Sequence, residues 1–211
     1  VDPLTYCALK AHFLKDEERH YLCSTDIEKT YTFMKKILIA TCFLLSCHII
    51  TAQEDTPHIN WITWEEAEKK MAEEPKKVLV DVYTQWCGPC KMMNKTTFQD
   101  PTVVNYVNEH YYAIKFDAEG PETVEFKGTT FKNEGYDPNK SGRNSTHDLT
   151  RAIAPVNGRI AYPTIVYMNE DFQIVTPVQG FQRTAQIMPI LSFIAEEAYK
   201  DQTFEEYTSG N

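Results

Sequence analysis

From Thr63 onward the apolar positions switch between two spacings. Trp64, Ala67 and Met71 recur at three and four residues behind Thr63-Trp64-Glu65-Glu66, a Thr and a Glu at capping-box distance, and the run ends at Pro75. This spacing predicts a first amphipathic helix. Lys77-Val78-Leu79-Val80-Asp81-Val82-Tyr83 is short, apolar and β-branched, so it is expected as a buried strand ending near Trp86-Cys87. A helix should begin at Gly88, because Pro89 suits a first turn, where its missing N–H costs nothing. Asp100-Pro101 marks another helix start, with Val103, Val104 and Val107 as its stripe, and Tyr112 to Asp117 supplies the next strand. Strand, helix and strand in that order imply a parallel pair.

The stretch from Ala118 to Ile160 is longer than a compact connection needs. Lys127-Gly128-Thr129-Thr130 fits a two-residue type II′ turn that would set Phe126 opposite Phe131 in a hairpin. Glu134 to Asn144 is rich in Gly, Asn, Asp, Pro and Ser and is expected as an exposed loop, after which Ser145 caps a short helix carrying Leu149 and Ile153. Tyr162 to Met168 and Phe172 to Val178, joined by Asn169-Glu170-Asp171, form an antiparallel hairpin. Ile187, Ile190, Leu191, Ile194 and Ala198 mark a closing helix, whose start is placed nearer Gln186 than Thr184 because of Pro189.

A further pattern lies upstream. Met34-Lys35-Lys36 is a positive cluster, Ile37 to Ile50 is apolar, and Ile50-Thr51-Ala52 ends in a small residue, as in a cleavable export signal that would leave Gln53 as the new terminus. The alternative is a membrane anchor, but Thr41, Ser46 and His48 interrupt the run, which falls short of the roughly 20 residues a bilayer needs. A second alternative takes Leu44-Leu45-Ser46-Cys47 as a lipoprotein signal with Cys47 lipidated. Residues 1–33 are then expected to precede the natural start, residues 34–52 to be the signal, and residues 53–211 to form one domain with a single core. Within 53–211, 15 Lys and Arg face 24 Asp and Glu. That balance argues against a nucleic-acid partner.

Export also sorts the six cysteines, since Cys7, Cys23, Cys42 and Cys47 lie before residue 53 and only Cys87 and Cys90 follow it. A stabilising framework would use pairs spread along the chain, whereas this pair closes only a tiny loop. Disulfide exchange needs a nucleophilic thiolate and a second thiol in reach, which one helical turn supplies. Cys87, at the positive and exposed end of the helix, is expected as the nucleophile, and Cys90, one turn inside, as the resolving thiol. A zinc site would need a second ligand pair, and His58, His110 and His147 show no paired spacing. No metal and no cofactor are expected.

Trp86-Cys87-Gly88-Pro89-Cys90-Lys91 is identical to the signature of the thioredoxin family, and the chain resembles that family from about Trp64 to Tyr199. The resemblance implies a thioredoxin fold, an α/β arrangement with a central mixed sheet flanked by helices. A β-hairpin and loop inserted between Asp117 and Pro163 resembles the exported bacterial members. Asp81, six residues before Cys87, matches the family's buried acid for proton transfer to and from the resolving thiol, and Lys115 matches the lysine paired with it. Tyr162-Pro163-Thr164 is similar to the cis-proline segment that holds substrate beside the cysteines, and Gly180 resembles the glycine after the last strand. With Trp86, Gly88 and Pro89, these residues would border the substrate groove. Tyr162 departs from the family's usual small or β-branched residue.

The activity so implied is that of a periplasmic thiol-disulfide oxidoreductase, acting as a monomer on protein thiols and disulfides and supplied with electrons by a membrane thiol carrier. Two other functions are compatible with the fold. One is a binding or chaperone module that does not turn over, and the other is dedicated service to cytochrome c maturation.

Overall fold

The computed structural model describes residues 57–210. Residues 1–33, the signal expected over 34–52 and Cys47 lie outside them. Among the described residues, no helix is long and apolar enough to cross a membrane. The chain runs through β1 (Trp61–Ile62), α1 (Trp64–Glu73), β2 (Lys77–Tyr83), α2 (Gly88–Lys95), α3 (Pro101–His110) and β3 (Tyr111–Asp117). It continues through β4 (Val124–Phe126), β5 (Thr129–Phe131), α4 (Asp148–Ile153), β6 (Thr164–Met168), β7 (Ile174–Gln179), α5 (Thr184–Ala195) and α6 (Phe204–Ser209).

Five strands form one mixed sheet in the order β1-β3-β2-β6-β7. β1 and β2 each pair parallel to β3, whereas β6 is antiparallel to both β2 and β7. β2 is central and carries no charged side chain except Lys77 at its start and Asp81. Its alternation distributes its side chains over two cores. Val78, Val80 and Val82 join Trp64, Phe116, Leu149 and Val166 on one face. Leu79 joins Met93, Val104, Ile165 and Leu191 on the other, beneath α2, α3 and α5. Each such fully buried aliphatic side chain contributes about 1.5–3 kcal/mol relative to exposure. This is the thioredoxin fold expected from the sequence.

The capping box at Thr63 and Glu66 is present at α1, and Asp100 caps α3 by accepting from the Thr102 N–H. Three local expectations need correction. At the β4–β5 turn, Lys127 (φ 49°) and Gly128 (φ 72°) are both left-handed, so the turn is not type II′. It sets Phe126 opposite Thr129 and Val124 opposite Phe131. Lys127 is held there by its N–H donating to Glu68 Oε1 (2.8 Å) and its ammonium to the Asp171 carbonyl (2.7 Å).

The cap of α4 is His147, not Ser145. The His147 Nδ1 accepts from the Leu149 N–H at 3.1 Å, which leaves Nε2 to donate to the Glu122 carbonyl at 2.8 Å. Ser145 instead donates its hydroxyl to Asn133. α5 starts at Thr184 despite Pro189. Its first turn is pinned by Gln186 Oε1 accepting from the Arg183 N–H (3.0 Å) and by the Thr184 hydroxyl donating to Asp100 (2.9 Å).

Candidate active site

β2 delivers the chain to the site and α2 leaves it. Between them the Cys87 N–H donates to the Thr84 carbonyl at 3.1 Å, closing a tight turn. Cys87 is the N-cap of α2, with extended backbone, and Pro89 lies in the first turn. Cys87 and Cys90 are joined as a disulfide. The Cys90 N–H points at Cys87 Sγ, 3.1 Å away. A helix-end N–H aimed at sulfur is the arrangement that favours a thiolate there after reduction. A side chain at Gly88 would meet nothing within 4 Å, so the approach to Cys87 over that residue is open.

Cys87 does not stand exposed as the sequence suggested: it is 2% accessible and Cys90 5%. Trp86 and Tyr162, packed edge to face at 5.9 Å, wall the pair in. The two sulfurs are distinguished instead by access to a groove of 580 Å³, which Cys87, Gly88 and Pro89 line and Cys90 does not.

Asp81 follows Leu79 on the face of β2 beneath α2 and is 3% accessible. Burial pushes its carboxyl up to about 7, opposed by the nearby Lys115 ammonium. Lys115 is the register neighbour of Asp81 across β3. Its ammonium donates to Asn94 Oδ1 of α2 and sits between the rings of Trp61 (5.4 Å) and Tyr83 (5.3 Å). A carboxyl that takes up or releases its proton near neutrality is suited to proton transfer.

The Tyr162–Pro163 bond is cis. The Pro163 carbonyl accepts from the Gly180 N–H at 2.8 Å, and the Thr164 hydroxyl donates to the Ala161 carbonyl at 2.7 Å. Gly180 has φ +99°, a conformation open to glycine and costly for other residues. Gly180 therefore supports the proline segment.

The residues that sequence reasoning missed come from 118–163. Glu119 Oε2 accepts from Trp86 Nε1 at 2.8 Å and from the Asn144 N–H at 2.6 Å. Arg143 lies over the Trp86 ring, 4.4 Å from its centroid. Thr146, Ile160 and Ala161 complete that side of the groove. Glu119 had a usable signal, because it lies just past the carboxyl end of a parallel strand, where open α/β sheets place ligands. Arg143, within a polar loop, had none. Among the described residues no group of three or more His, Cys, Asp or Glu gathers as for a metal.

The chain has partial likenesses to known proteins. A family model described as Thioredox_DsbH, protein of unknown function, DUF255, matches residues 45–133. The thiol:disulfide interchange protein DsbD of Haemophilus ducreyi is 44% identical over 57 residues, covering 25% of this chain and 10% of that protein. The M-type chloroplastic thioredoxin of Brassica napus is 40% identical over 72 residues, covering 32% of this chain and 36% of that one. The chain thus spans about a tenth of the length of the DsbD proteins it matches. A thioredoxin-fold protein from Helicobacter pylori superposes with TM-score 0.49 at 18% identity, over 74% of this chain and 85% of that one.

The strand order and the dithiol turn are those of a thioredoxin fold, and the family model agrees with them over the part of the chain it matches. Its named relatives include thiol:disulfide interchange proteins.

Proposed function

We propose that the protein is an exported thiol-disulfide oxidoreductase that reduces or exchanges disulfides of exported proteins. The observation that carries this reading is the Cys87–Cys90 pair at the amino end of α2, with Cys87 alone opening on the groove. In the reduced protein the Cys87 thiolate attacks one sulfur of a substrate disulfide. A mixed disulfide forms and the other substrate sulfur leaves as thiolate. Cys90, giving its proton to the Asp81 carboxylate, then attacks Cys87 Sγ and releases the second substrate sulfur. Two electrons pass from the dithiol to the substrate, and the Cys87–Cys90 disulfide is regenerated.

A periplasm is kept oxidising, so the dithiol must be recharged, and a membrane thiol carrier is the donor of matching chemistry. Trp86, Gly88, Pro89, Tyr162 and the Pro163 segment supported by Gly180 hold the substrate, with Lys115 as the electrostatic partner of Asp81. The protein works as a monomer. Equilibration with glutathione buffers tests the direction. A reduction potential near the roughly −270 mV of thioredoxins supports a reductant, and one near the roughly −120 mV of strong oxidants overturns it. Amino-terminal sequencing of the exported protein should read from Gln53.

A further inference from the structure

The groove beside Cys87 has one cationic and one anionic side chain in its lining, Arg143 and Glu119. The two are not equally available. Glu119 is engaged, with Oε2 accepting from both Trp86 Nε1 and the Asn144 N–H. Arg143 is exposed, and among the described residues it makes no ion pair. Its guanidinium rests on the Trp86 ring at 4.4 Å, which restrains the side chain while leaving the edge of the fork unoccupied. A planar fork held in this way matches a carboxylate. Trp86 adjoins Cys87, and an extended peptide advances about 3.3 Å per residue, so the guanidinium is within reach of side chains close to a reacting cysteine.

We propose that Arg143 selects disulfides that carry an acidic side chain within about two residues of the reacting cysteine. The inference rests on the disulfide-exchange reading and names its preferred substrates. The full chain has a net charge of −9, so its long-range field favours basic peptides. A preference for acidic ones has to come from a local contact, and loss of that contact should reverse the order.

The test uses three disulfide-linked peptide dimers that differ only in having Glu, Gln or Lys two residues from the cysteine. Each is reduced by the pre-reduced protein, and the second-order rate constants are compared. The wild-type protein should reduce the Glu peptide about two- to five-fold faster than the Gln peptide, the range of an exposed ion pair. Arg143→Gln should level the series or put the Lys peptide first, and Arg143→Lys should keep part of the Glu preference. A wild-type rate no higher for Glu than for Gln overturns the proposal, and so does a Glu preference that survives in Arg143→Gln. If the wild-type protein fails to reduce even the Gln peptide, disulfide exchange itself is the reading that falls.

Discussion

On one side of the groove, Cys87, Gly88 and Pro89 are fixed by backbone: the Thr84 carbonyl, the first turn of α2 and a strand whose neighbours bond it on both edges. On the other side, Arg143, Asn144 and Thr146 are fixed by side chains. Glu119 holds the Asn144 N–H, and Asn133 Nδ2 donates to the Gly120 (3.0 Å) and Ser145 (2.8 Å) carbonyls. Asn144 Nδ2 in turn donates to the Asp137 carbonyl at 2.9 Å. The first wall repeats a periodic pattern and carries the reactive sulfurs. The second is specified residue by residue and carries none. Chemistry and selection are therefore separable, and each can be altered with limited damage to the other.

The largest effect expected is on the reactive wall. Cys87→Ser should abolish exchange, and Cys90→Ser should leave the first attack intact, so that mixed disulfides with partner proteins accumulate and can be captured on non-reducing gels. The reverse result, with Cys87→Ser trapping partners, would exchange the two roles.

Asp81 gives the next largest effect. Its folded pKa, about 7, lies above the ordinary carboxyl value of 3.8, so the folded state binds the proton more tightly. Its stabilising contribution is complete below about pH 4 and is lost as pH rises through about 7. Asp81→Asn should therefore be more stable than wild type at pH 8, by roughly 4 kcal/mol, with the difference vanishing by about pH 4. It should also slow resolution of the mixed disulfide. Urea unfolding at the two pH values checks the first statement, and equal stability at pH 8 would show that the buried carboxylate is compensated.

The smallest effect belongs to the selecting wall. Glu119→Ala should cost roughly 1–2 kcal/mol of local order. By amide hydrogen exchange, protection of Asn144 should fall while that of Val80 and Val82 in β2 is unchanged. Equal loss in both places would show that the walls unfold as one unit.

How far the sequence revealed this division follows from the same contrast. β2, α2, α3, β3 and the β6–β7 hairpin were legible because periodicity, caps and prolines agree there, as in Asp100-Pro101 and Gly88-Pro89. The dithiol was legible because it is a local motif, and Asp81 stood out as a charge inside an apolar strand. The selecting wall was not. Glu119 and Arg143 meet Trp86, and Asn144 meets Glu119, across sequence separations that no local pattern encodes, and the His147 cap depends on a ring nitrogen in a position where Ser145 looked the better candidate. β1 has only two residues, too few for a period. α6 did carry a signal, Thr203 and Glu206 at capping-box spacing, and it packs Phe204 and Tyr207 around Phe193.

The strand order has one more consequence. β1, β3 and β2 precede the exposed loop at 137–142, β6 and β7 follow it, and the two groups meet along the single β2–β6 seam. A protease cut in that loop thus separates the polypeptide into pieces that coincide with contiguous halves of the sheet, one bearing Cys87, Cys90 and Asp81 and the other bearing Arg143 and Pro163. The molecule has the layout of a split protein, in which the first fragment keeps the dithiol and Glu119, the second brings Arg143 and Pro163, and a five-pair strand seam is the line along which they would rejoin.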